Sequence, residues 1–387
     1  MRKTLLVSCY GNINLASNNR LRSVYDNLHG QKMVLASDFN HWGKKHYTNE
    51  EMLNPNQIHF HVPAYKENLS FRRIYSHLVY AYKVWKYLRG MEEYPDVIYC
   101  IMPTSTAAYV CAKFCKSKKI KFIIDVVDLW PDSLLPIVKA KKLLSVVISP
   151  WSYLTRYAYK SADVIIGESQ KYVDEAKQYN KIAIPCPIYL GVDVDYIEKV
   201  KQSICLDINK PEGELWIAYA GNLGNSYDFT TLLKAVKKVA EPHRYKMLFI
   251  GDGDRRHDIE EYAKNHKLNV EITGYLPYKK LLAYLSYCDI AVNIFKKETK
   301  VVYSYKFNDY AAMGCFILNS LEGETAEMID KYKIGKNFNF ADRPLDLVLN
   351  DVITNWDKYV LYRQNLSYFI DEKLNKKKIY SVVNSLL

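Results

Sequence analysis

A lysine and a carboxylate lie one helical turn apart in the stretch "YSYKFNDYAAMGCFILNS", which runs from Tyr303 to Ser320. If "KFNDYAAM" is helical, Lys306 and Asp309 share one face of that helix. Gly314 then ends the helix, and the apolar run after it forms a buried strand. The two side chains can form a simple surface ion pair. They can also hold two ends of one ligand, with phosphate on the lysine and hydroxyl groups on the carboxylate.

Three further loops in the second half of the chain also follow short apolar runs that read as strands. These loops are "GNLG" from Gly221, "GDGDRR" from Gly251 and "GYLP" from Gly274. Ligands of open parallel sheets bind beyond the carboxyl ends of the strands. Glycines let the backbone approach a ligand closely, and the helix N-termini that follow attract phosphate. The four loops in order therefore predict a phosphate-bearing ligand.

The elements that position these loops alternate between strands and helices along the whole chain. Runs such as "KTLLVSCY", "IKFIIDVVD" and "YKMLFIGDGD" are separated by helical patterns such as "FTTLLKAVKKVA", which is typical of βαβ units around a parallel sheet. We expect an α/β protein with a Rossmann-like domain over 1–185, a linker over 186–212 and a second Rossmann-like domain over 213–360. The helical end, 361–387, is expected to pack back on the first domain.

Composition excludes several other classes of protein. The chain has 387 residues, is 49% hydrophobic and contains no apolar run of the roughly 18 residues that a membrane-spanning helix needs. Its start reads as a first strand better than as a signal peptide, so we expect a cytoplasmic protein. The eight cysteines are scattered without a CxxC pair, which argues against disulfides and structural zinc.

The net charge of +12 is uneven, because residues 1–180 carry +10 and the remainder +2. A basic first half indicates an anionic partner, either a membrane surface or nucleic acid, unless the lysines are merely solvated. Lysines beside an apolar stretch over 139–151 suit peripheral contact with an anionic membrane. The segment "FRRIYSHLVYAYKVWKYLRG" could stack nucleic-acid bases, but its helical spacing favours a packing helix. We expect no nucleic-acid partner.

These motifs together resemble the retaining glycosyltransferases of family 4. The resemblance is carried by "YAGNLGNSYDFTTLLKA", "FIGDGD", "TGYLPYKKLLAYLSYCDIAV" and the stretch from Tyr303. In the first half, "IIDVVDLWPDS" and "ADVIIGES" resemble the subgroup that builds bacterial surface polysaccharides. The resemblance implies a GT-B fold, in which two Rossmann-like domains face each other across a cleft that holds the site.

The resemblance also implies roles for individual residues. Lys306 contacts the donor diphosphate, and Asp309 holds the nucleotide ribose. Asp128, near the reacting sugar, stabilises the positive charge that develops on the ring or takes the acceptor's proton. The remaining nucleotide-sugar candidates are Gly221, Asn222, Gly224, Gly253, Arg255, Arg256, Tyr275 and Leu276, and the acceptor-side candidates are Gly11, Asn12 and Arg20.

The sequence departs from the family pattern at two places. Val301 occupies the position of the family's first glutamate, with Glu298 as the nearest carboxylate. Asn222 replaces an arginine of the first loop, and we infer that Arg255 or Arg256 supplies the missing charge. Cations and helix N-termini then stabilise the leaving diphosphate, so no metal cofactor is expected.

Metal-binding patterns are weak in this sequence. Asp252-Gly253-Asp254 and Asp193-Val194-Asp195 spell DxD triplets, which are common by chance. His59 and His61 fall on one face of a predicted strand without an apparent third ligand.

The function expected is transfer of a hexosyl or N-acetylhexosaminyl group from a nucleotide sugar, UDP-linked, to a lipid-linked or other glycan acceptor. A membrane-associated enzyme of this kind would act at the cytoplasmic face of a bacterial membrane. The alternatives are a GT-B nucleotide-sugar epimerase and an inactive glycosyltransferase-like scaffold. Because Val301 stands in place of a glutamate, the inactive scaffold remains an alternative.

Overall fold

The computed structural model describes residues 1–15, 20–68, 70–131, 141–204, 206, 208–239, 245–299 and 301–387, with the backbone alone for 141–147. The chain divides into two compact units. The first unit comprises Met1–Leu190 and Lys377–Leu387, and the second comprises Gly191–Lys376.

The first unit contains a seven-stranded parallel sheet in the order β5-β2-β1-β6-β7-β8-β9. A short antiparallel hairpin, β3–β4, follows β2. The strands are β1 Lys3–Ser8, β2 Gln31–Ser37, β3 Phe39–Asn40, β4 Lys45–His46, β5 Gln57–Phe60, β6 Val97–Met102, β7 Lys121–Val126, β8 Val164–Gly167 and β9 Ile184–Pro187.

Helices cover both faces of this sheet. They are α1 Arg20–Asn27, α2 Phe71–Arg89, α3 Ser105–Lys118, α4 Lys141–Ser161 and α5 Gln170–Lys177, with a 3₁₀ turn at Glu50–Met52. Side chains alternate along β1, so that Leu5 packs in the cluster with α2 and α3, whereas Leu6 packs with α1. Tyr380 and Val383, from the last helix of the chain, complete the second cluster.

The second unit contains a six-stranded parallel sheet in the order β12-β11-β10-β13-β14-β15. Its strands are β10 Leu215–Ala220, β11 Tyr245–Ile250, β12 Val270–Ile272, β13 Ile290–Asn293, β14 Phe316–Asn319 and β15 Gly335–Asn337. The helices from Gly191 onward are α6 Val194–Gln202, α7 Phe229–Val239, α8 Arg256–Asn265, α9 Tyr278–Ser286, α10 Tyr305–Ala312, α11 Glu324–Tyr332, α12 Leu345–Thr354, α13 Trp356–Tyr359, α14 Asn365–Phe369 and α15 Lys376–Leu386. Irregular helical turns lie at Val360–Gln364 and Ile370–Leu374.

Two Rossmann-like halves with parallel sheets confirm the fold class expected from the sequence. The sequence patterns missed the short strands β9 and β15 and the hairpin β3–β4. The strand predicted at His59 is β5, which ends at Phe60, so that His61 lies just beyond it. The segment 186–212 contains the end of β9 and the helix α6. Residues 194–202 are therefore helical, and from Gly191 onward the segment belongs to the second unit.

Candidate functional site

Helix α10 is held at the end of strand β10 by one buried tyrosine. The hydroxyl oxygen of Tyr310 accepts a hydrogen bond from the backbone N–H of Ala220, at 2.9 Å. Gly314, with φ of 81°, follows the helix in a left-handed conformation that suits glycine, and β14 begins two residues later. The helix and strand expected for "KFNDYAAMGCFIL" are confirmed.

Lys306 projects from this helix into an aromatic setting. Its ammonium donates a hydrogen bond to the hydroxyl of Tyr219 at 2.7 Å and lies 3.9 Å from the ring centroid of Tyr227. No carboxylate among the described residues forms an ion pair with it. Burial lowers the pKa of Lys306 well below its ordinary value, because desolvation disfavours the charged form. An anion that binds beside Lys306 would favour the charged form of the amine and would form a strong hydrogen bond with it.

The loop 221–224 lies against this ammonium. A Cβ placed on Gly221 would be 3.4 Å from Nζ of Lys306. A Cβ on Gly251 would be only 1.9 Å from the carbonyl oxygen of Gly221, so glycine alone allows the two loops to meet. Leu223 donates its backbone N–H to the carbonyl of Asp252 at 2.9 Å. The two glycine loops and Lys306 are therefore brought together, as the sequence predicted.

Asp309 faces a different partner from Lys306. It accepts a hydrogen bond from the hydroxyl of Tyr278 at 2.7 Å. Burial raises the pKa of Asp309 to about 6, and the bond from Tyr278 opposes that rise. Tyr278 also lies parallel to Tyr196, with ring centroids 6.1 Å apart. Within the described chain, Lys306 and Asp309 form no ion pair, so the surface-pair alternative is wrong.

Both arginines of the second glycine loop are already paired with carboxylates. Arg255 contacts Asp258 at 2.6 Å. Arg256 contacts Asp252 at 3.0 Å and Glu260 at 2.8 Å. A ligand phosphate would therefore have to compete with these acids for either guanidinium.

One carboxylate of each DxD triplet has a structural partner. Asp252 is held by Arg256, and the side chain of Asp193 caps helix α6 by accepting the N–H of Tyr196 at 3.0 Å. These contacts explain both side chains without a metal ion.

The other nucleotide-sugar candidates lie in or beside the same loops. A Cβ on Gly253 would be 2.5 Å from Oδ1 of Asn222, and one on Gly224 would be 3.3 Å from Nδ2 of Asn222. Tyr275 is 83% exposed in the loop after β12, and Leu276 beside it is half-buried. The amide of Asn222 thus packs between the loop glycines.

The position of the family's first glutamate and the nearest carboxylate differ in exposure. Val301 is half-buried, whereas Glu298 is exposed.

In the first unit, Arg20 is buried in a network of its own. Its guanidinium binds the carboxylate of Asp125 through two hydrogen bonds, at 2.8 and 2.7 Å. Tyr99 donates its hydroxyl to the same carboxylate at 2.7 Å, and the guanidinium also donates to the carbonyl of Ile188. These contacts occupy Arg20, so they give it a structural role in this unit.

The remaining first-unit candidates lie at the carboxyl ends of β1 and β7. Gly11 has φ of 106°, in the left-handed region that favours glycine. Asn12 is buried and donates its side-chain amide to the carbonyl of Glu51 at 2.7 Å. Asp128 lies half-buried two residues beyond β7.

The sequence patterns missed an aromatic and basic cluster beside Gly11. The hydroxyl of Tyr10 lies 2.6 Å from Nε2 of His77 and 3.3 Å from two nitrogens of Arg73. His41 lies against the Tyr10 ring, with centroids 4.6 Å apart. Burial and the charge of Arg73 lower the pKa of His77 to about 3. Trp42, beside His41, is largely exposed. Only the place of Tyr10 at the end of the first strand could have indicated this cluster.

Helix α2 carries two apolar faces. One face, with Tyr80, Val84 and Leu88, packs in the core of the first unit. The other face is exposed at positions that repeat every three or four residues: Phe71, Tyr75, Leu78, Tyr82 and Trp85. The expected packing helix therefore explains only one of the two faces. The helix contains five basic residues and no acidic residue.

The proposed membrane segment around 139–151 lies partly outside the described residues. Lys139 is outside them altogether, and Lys141 and Lys142 are described by their backbone alone. Among the described helices, none combines the length and the apolar character that crossing a bilayer requires.

Comparison with known proteins gives one family match and many similar folds. Residues 201–299 match the model of the family described as glycosyl transferases group 1. This segment includes both glycine loops and the Tyr275 loop. No curated protein is similar in sequence.

Several solved structures cover nearly the whole chain. Anabaena HepE in complex with UDP and glucose is 14% identical, with a TM-score of 0.66, over 100% of this chain and 99% of its own. Sucrose-phosphate synthase from Thermosynechococcus elongatus is 13% identical, with a TM-score of 0.68, over 100% and 98%. WaaG, a glycosyltransferase involved in lipopolysaccharide biosynthesis, is 12% identical, with a TM-score of 0.60, over 99% of each chain. The fold is therefore that of the GT-B glycosyltransferases, and the matched segment together with the fold indicates a glycosyltransferase.

Proposed function

We propose that this protein is a retaining glycosyltransferase that moves a hexosyl or N-acetylhexosaminyl group from a UDP-linked sugar to a glycan acceptor. The observation that carries the proposal is the buried ammonium of Lys306, which lies beside Gly221 without a carboxylate partner among the described residues. The UDP bound in the solved structure of the similar HepE supports the choice of nucleotide.

The chemistry follows from the charges that develop when the donor's sugar–diphosphate bond breaks. The leaving diphosphate gains negative charge, which Lys306 and the backbone N–H groups of the loop 221–224 would stabilise. Asp309 in its ionised form would accept hydrogen bonds from the ribose hydroxyls. Asp128 would stabilise the positive charge on the sugar ring or take the acceptor's proton. We propose that Lys306 and these backbone dipoles neutralise the diphosphate, so that transfer needs no metal.

The acceptor is proposed to be a lipid-linked glycan bound by the first unit. Gly11, Asn12 and the aromatic cluster around Tyr10 lie together after β1, where an exposed ring such as Trp42 offers an apolar surface to a sugar. Arg20 supports this region structurally, because its hydrogen bonds to Asp125 connect helix α1 to strand β7.

Contact with an anionic membrane is proposed through the exposed face of α2. Aromatic rings on one face and cations without acids suit the boundary between headgroups and acyl chains. This assignment supplements the segment 139–151, whose lysine side chains lie outside the described part of the chain.

A binding and turnover assay tests the function. We expect UDP and one or more UDP-sugars to stabilise the protein thermally, with a gain of about 2.7 kcal/mol at about 100 times the dissociation constant. UDP should be released only when an acceptor is present. Release or sugar interconversion without an acceptor would indicate the epimerase, and donor binding without any turnover would indicate the scaffold.

Vesicle sedimentation tests the membrane contact. The protein should pellet with anionic vesicles at low salt and be released at high salt, because charges are screened within about 10 Å at roughly 0.1 M salt. Replacing Tyr82 and Trp85 by serine should abolish sedimentation while UDP binding persists. Equal recovery of wild type and variant in the supernatant at low salt would contradict the assignment.

A further inference from the structure

Three metal-ligating side chains meet at the outer part of the first sheet. They come from three different elements. Asp38 follows β2, His46 ends the hairpin strand β4, and His61 follows β5. A ligand atom can be taken from each so that all three lie within 4.8 Å of one another. The carboxyl ends of β2 and β5 are neighbours because the two strands pair in parallel.

Two imidazole nitrogens approach the same oxygen of the Asp38 carboxylate. Its Oδ2 atom lies 2.7 Å from Nδ1 of His61 and 3.2 Å from Nδ1 of His46. The two imidazole rings are stacked, with centroids 4.9 Å apart. Bond lengths of about 2.0–2.2 Å in a tetrahedral zinc site place ligand atoms roughly 3.3 Å apart. Since His61 is 75% exposed, its ring can retreat the few tenths of an ångström that this requires.

Hydrogen bonding alone leaves this cluster incomplete. The His61 ring already makes the short contact to Oδ2. Nδ1 of His46 is buried and lies 3.2 Å from the same oxygen, but it forms no hydrogen bond of good geometry. A buried polar nitrogen without a partner is costly. A cation between the three side chains would give that nitrogen a ligand bond and would hold both rings in place.

The supports of the three side chains are already in position. The other carboxylate oxygen, Oδ1 of Asp38, accepts the backbone N–H of Val62 at 3.0 Å. The backbone of Asp38 bonds to Phe60 and to Tyr47, and the ring of His46 packs edge-on against Phe39 at 5.4 Å. Ligands oriented in this way by a second layer of contacts bind metals more tightly.

We propose that Asp38, His46 and His61 form a zinc site with one coordination position open to solvent. Two imidazoles and a carboxylate are ligands that Zn²⁺ accepts, and the exposure of His61 leaves room for water as the fourth ligand. The bound ion would tie the end of β2 to the hairpin and to the segment after β5. It would thereby act in the first unit, and it has no part in the metal-independent transfer proposed above.

The test is a Zn²⁺ titration of metal-stripped protein by calorimetry, with four chains compared. Wild type should bind one Zn²⁺ per chain. His61→Gln and Asp38→Asn should bind it at least tenfold more weakly, whereas His29→Gln, which removes an exposed histidine of the same unit, should bind as wild type does. Asparagine keeps an oxygen for Val62, and His61 is exposed, so both variants should fold. Unchanged UDP binding by each variant checks the second unit.

Two readouts separate the proposed site from unspecific binding. Zn²⁺ should raise the melting temperature of wild type and of His29→Gln but not of His61→Gln. Co²⁺ in place of Zn²⁺ should give visible absorption without a thiolate charge-transfer band in the near ultraviolet. Binding of equal strength in wild type and His61→Gln, or a thiolate band, would overturn the proposal. A lack of glycosyl transfer would not contradict the zinc site, because these readouts do not depend on turnover.

Discussion

Each unit of this protein has a cation that is shielded from solvent, and the two cations differ in their partners. In the first unit, the guanidinium of Arg20 and the carboxylate of Asp125 are 5% and 0% exposed and bind each other through two hydrogen bonds. In the second unit, the ammonium of Lys306, a half-buried residue, lies among Tyr219, Tyr227 and the glycine loop. None of the described carboxylates pairs with it.

This difference distinguishes a charge with a structural role from one that we propose to bind a ligand. A buried ion pair repays its desolvation only through its partner, so it contributes to the fold while both partners are present. A buried cation without such a partner destabilises the free protein and is ready for an anion that arrives from outside. The contrast predicts opposite signs for substitutions in the two units.

The largest effect is expected for Arg20→Met. The change leaves the Asp125 carboxylate buried without its cation, which should lower the free energy of unfolding by about 3–5 kcal/mol. Urea denaturation of the two proteins measures this loss. The double variant with Asp125→Leu should recover part of it, because no charge is then left buried. A loss below about 1 kcal/mol for Arg20→Met would show that the pair contributes little.

Lys306→Met should act in the opposite direction on stability and should impair binding. Removing a desolvated ammonium should leave the free protein at least as stable as wild type. UDP should bind at least about tenfold more weakly, since a charge-assisted hydrogen bond is worth about 1.5–3 kcal/mol, whereas uridine should bind equally well. Calorimetry with both ligands measures the difference, and Lys279→Met, an exposed lysine of the same unit, is the control. Equal UDP affinity in all three proteins would contradict the assignment.

Asp309→Asn should reveal a pH dependence of moderate size. Burial raises the pKa of Asp309 from 3.8 to about 6. The folded state therefore ionises this group less readily than the unfolded state does. Its stabilising contribution is present below about pH 4 and is lost as the pH rises through about 6. The unfolding free energy of wild type minus that of Asp309→Asn should fall over this window and level off above it.

The same titration should appear in ligand binding. Uridine affinity of the wild type should rise with pH through about 6, as the ionised carboxylate becomes available to the ribose hydroxyls. Tyr278→Phe should move this midpoint upward, because it removes the hydrogen bond that holds the pKa down. A uridine affinity of the wild type that does not change with pH would contradict the proposed contact between Asp309 and the ribose.

The smallest effect is expected from a chelator. If Lys306 and backbone dipoles neutralise the diphosphate, turnover should be unchanged in excess EDTA. Initial rates with and without EDTA, after dialysis, measure this. Loss of turnover in EDTA, with recovery when Mg²⁺ or Mn²⁺ is added, would contradict this prediction. It would instead support a metal site at the DxD triplet that begins at Asp252.

The sequence was most informative where a function depends on local pattern. Apolar runs predicted the main strands, and the glycine loops with Lys306 and Asp309 predicted one rim of the second sheet. Contacts distant along the chain left no such signal. Arg20 and Asp125 are 105 residues apart, so nothing local shows that they pair. For the same reason the sequence did not show that Tyr219 and Tyr227 enclose the Lys306 ammonium.

Periodicity also failed to show which apolar faces are covered. The pattern of α2 predicted a packing helix, yet a second face with Phe71 and Trp85 is exposed. His61 was expected to have no third ligand, because Asp38 and His46 reach it only through the pairing of β2 with β5 and the hairpin. Such neighbours follow from strand order, which hydropathy does not encode.

The return of the chain to its first unit has a consequence for biosynthesis. Tyr380 and Val383 are core residues of a sheet whose first strand contains Leu6. During translation, the helix that contains Tyr380 and Val383 is made only after the second unit. Until then, one apolar face of the first sheet is incompletely covered. Nascent chains halted before residue 377 should bind chaperones more strongly than chains that extend to residue 387, because chaperones recognise exposed apolar surface.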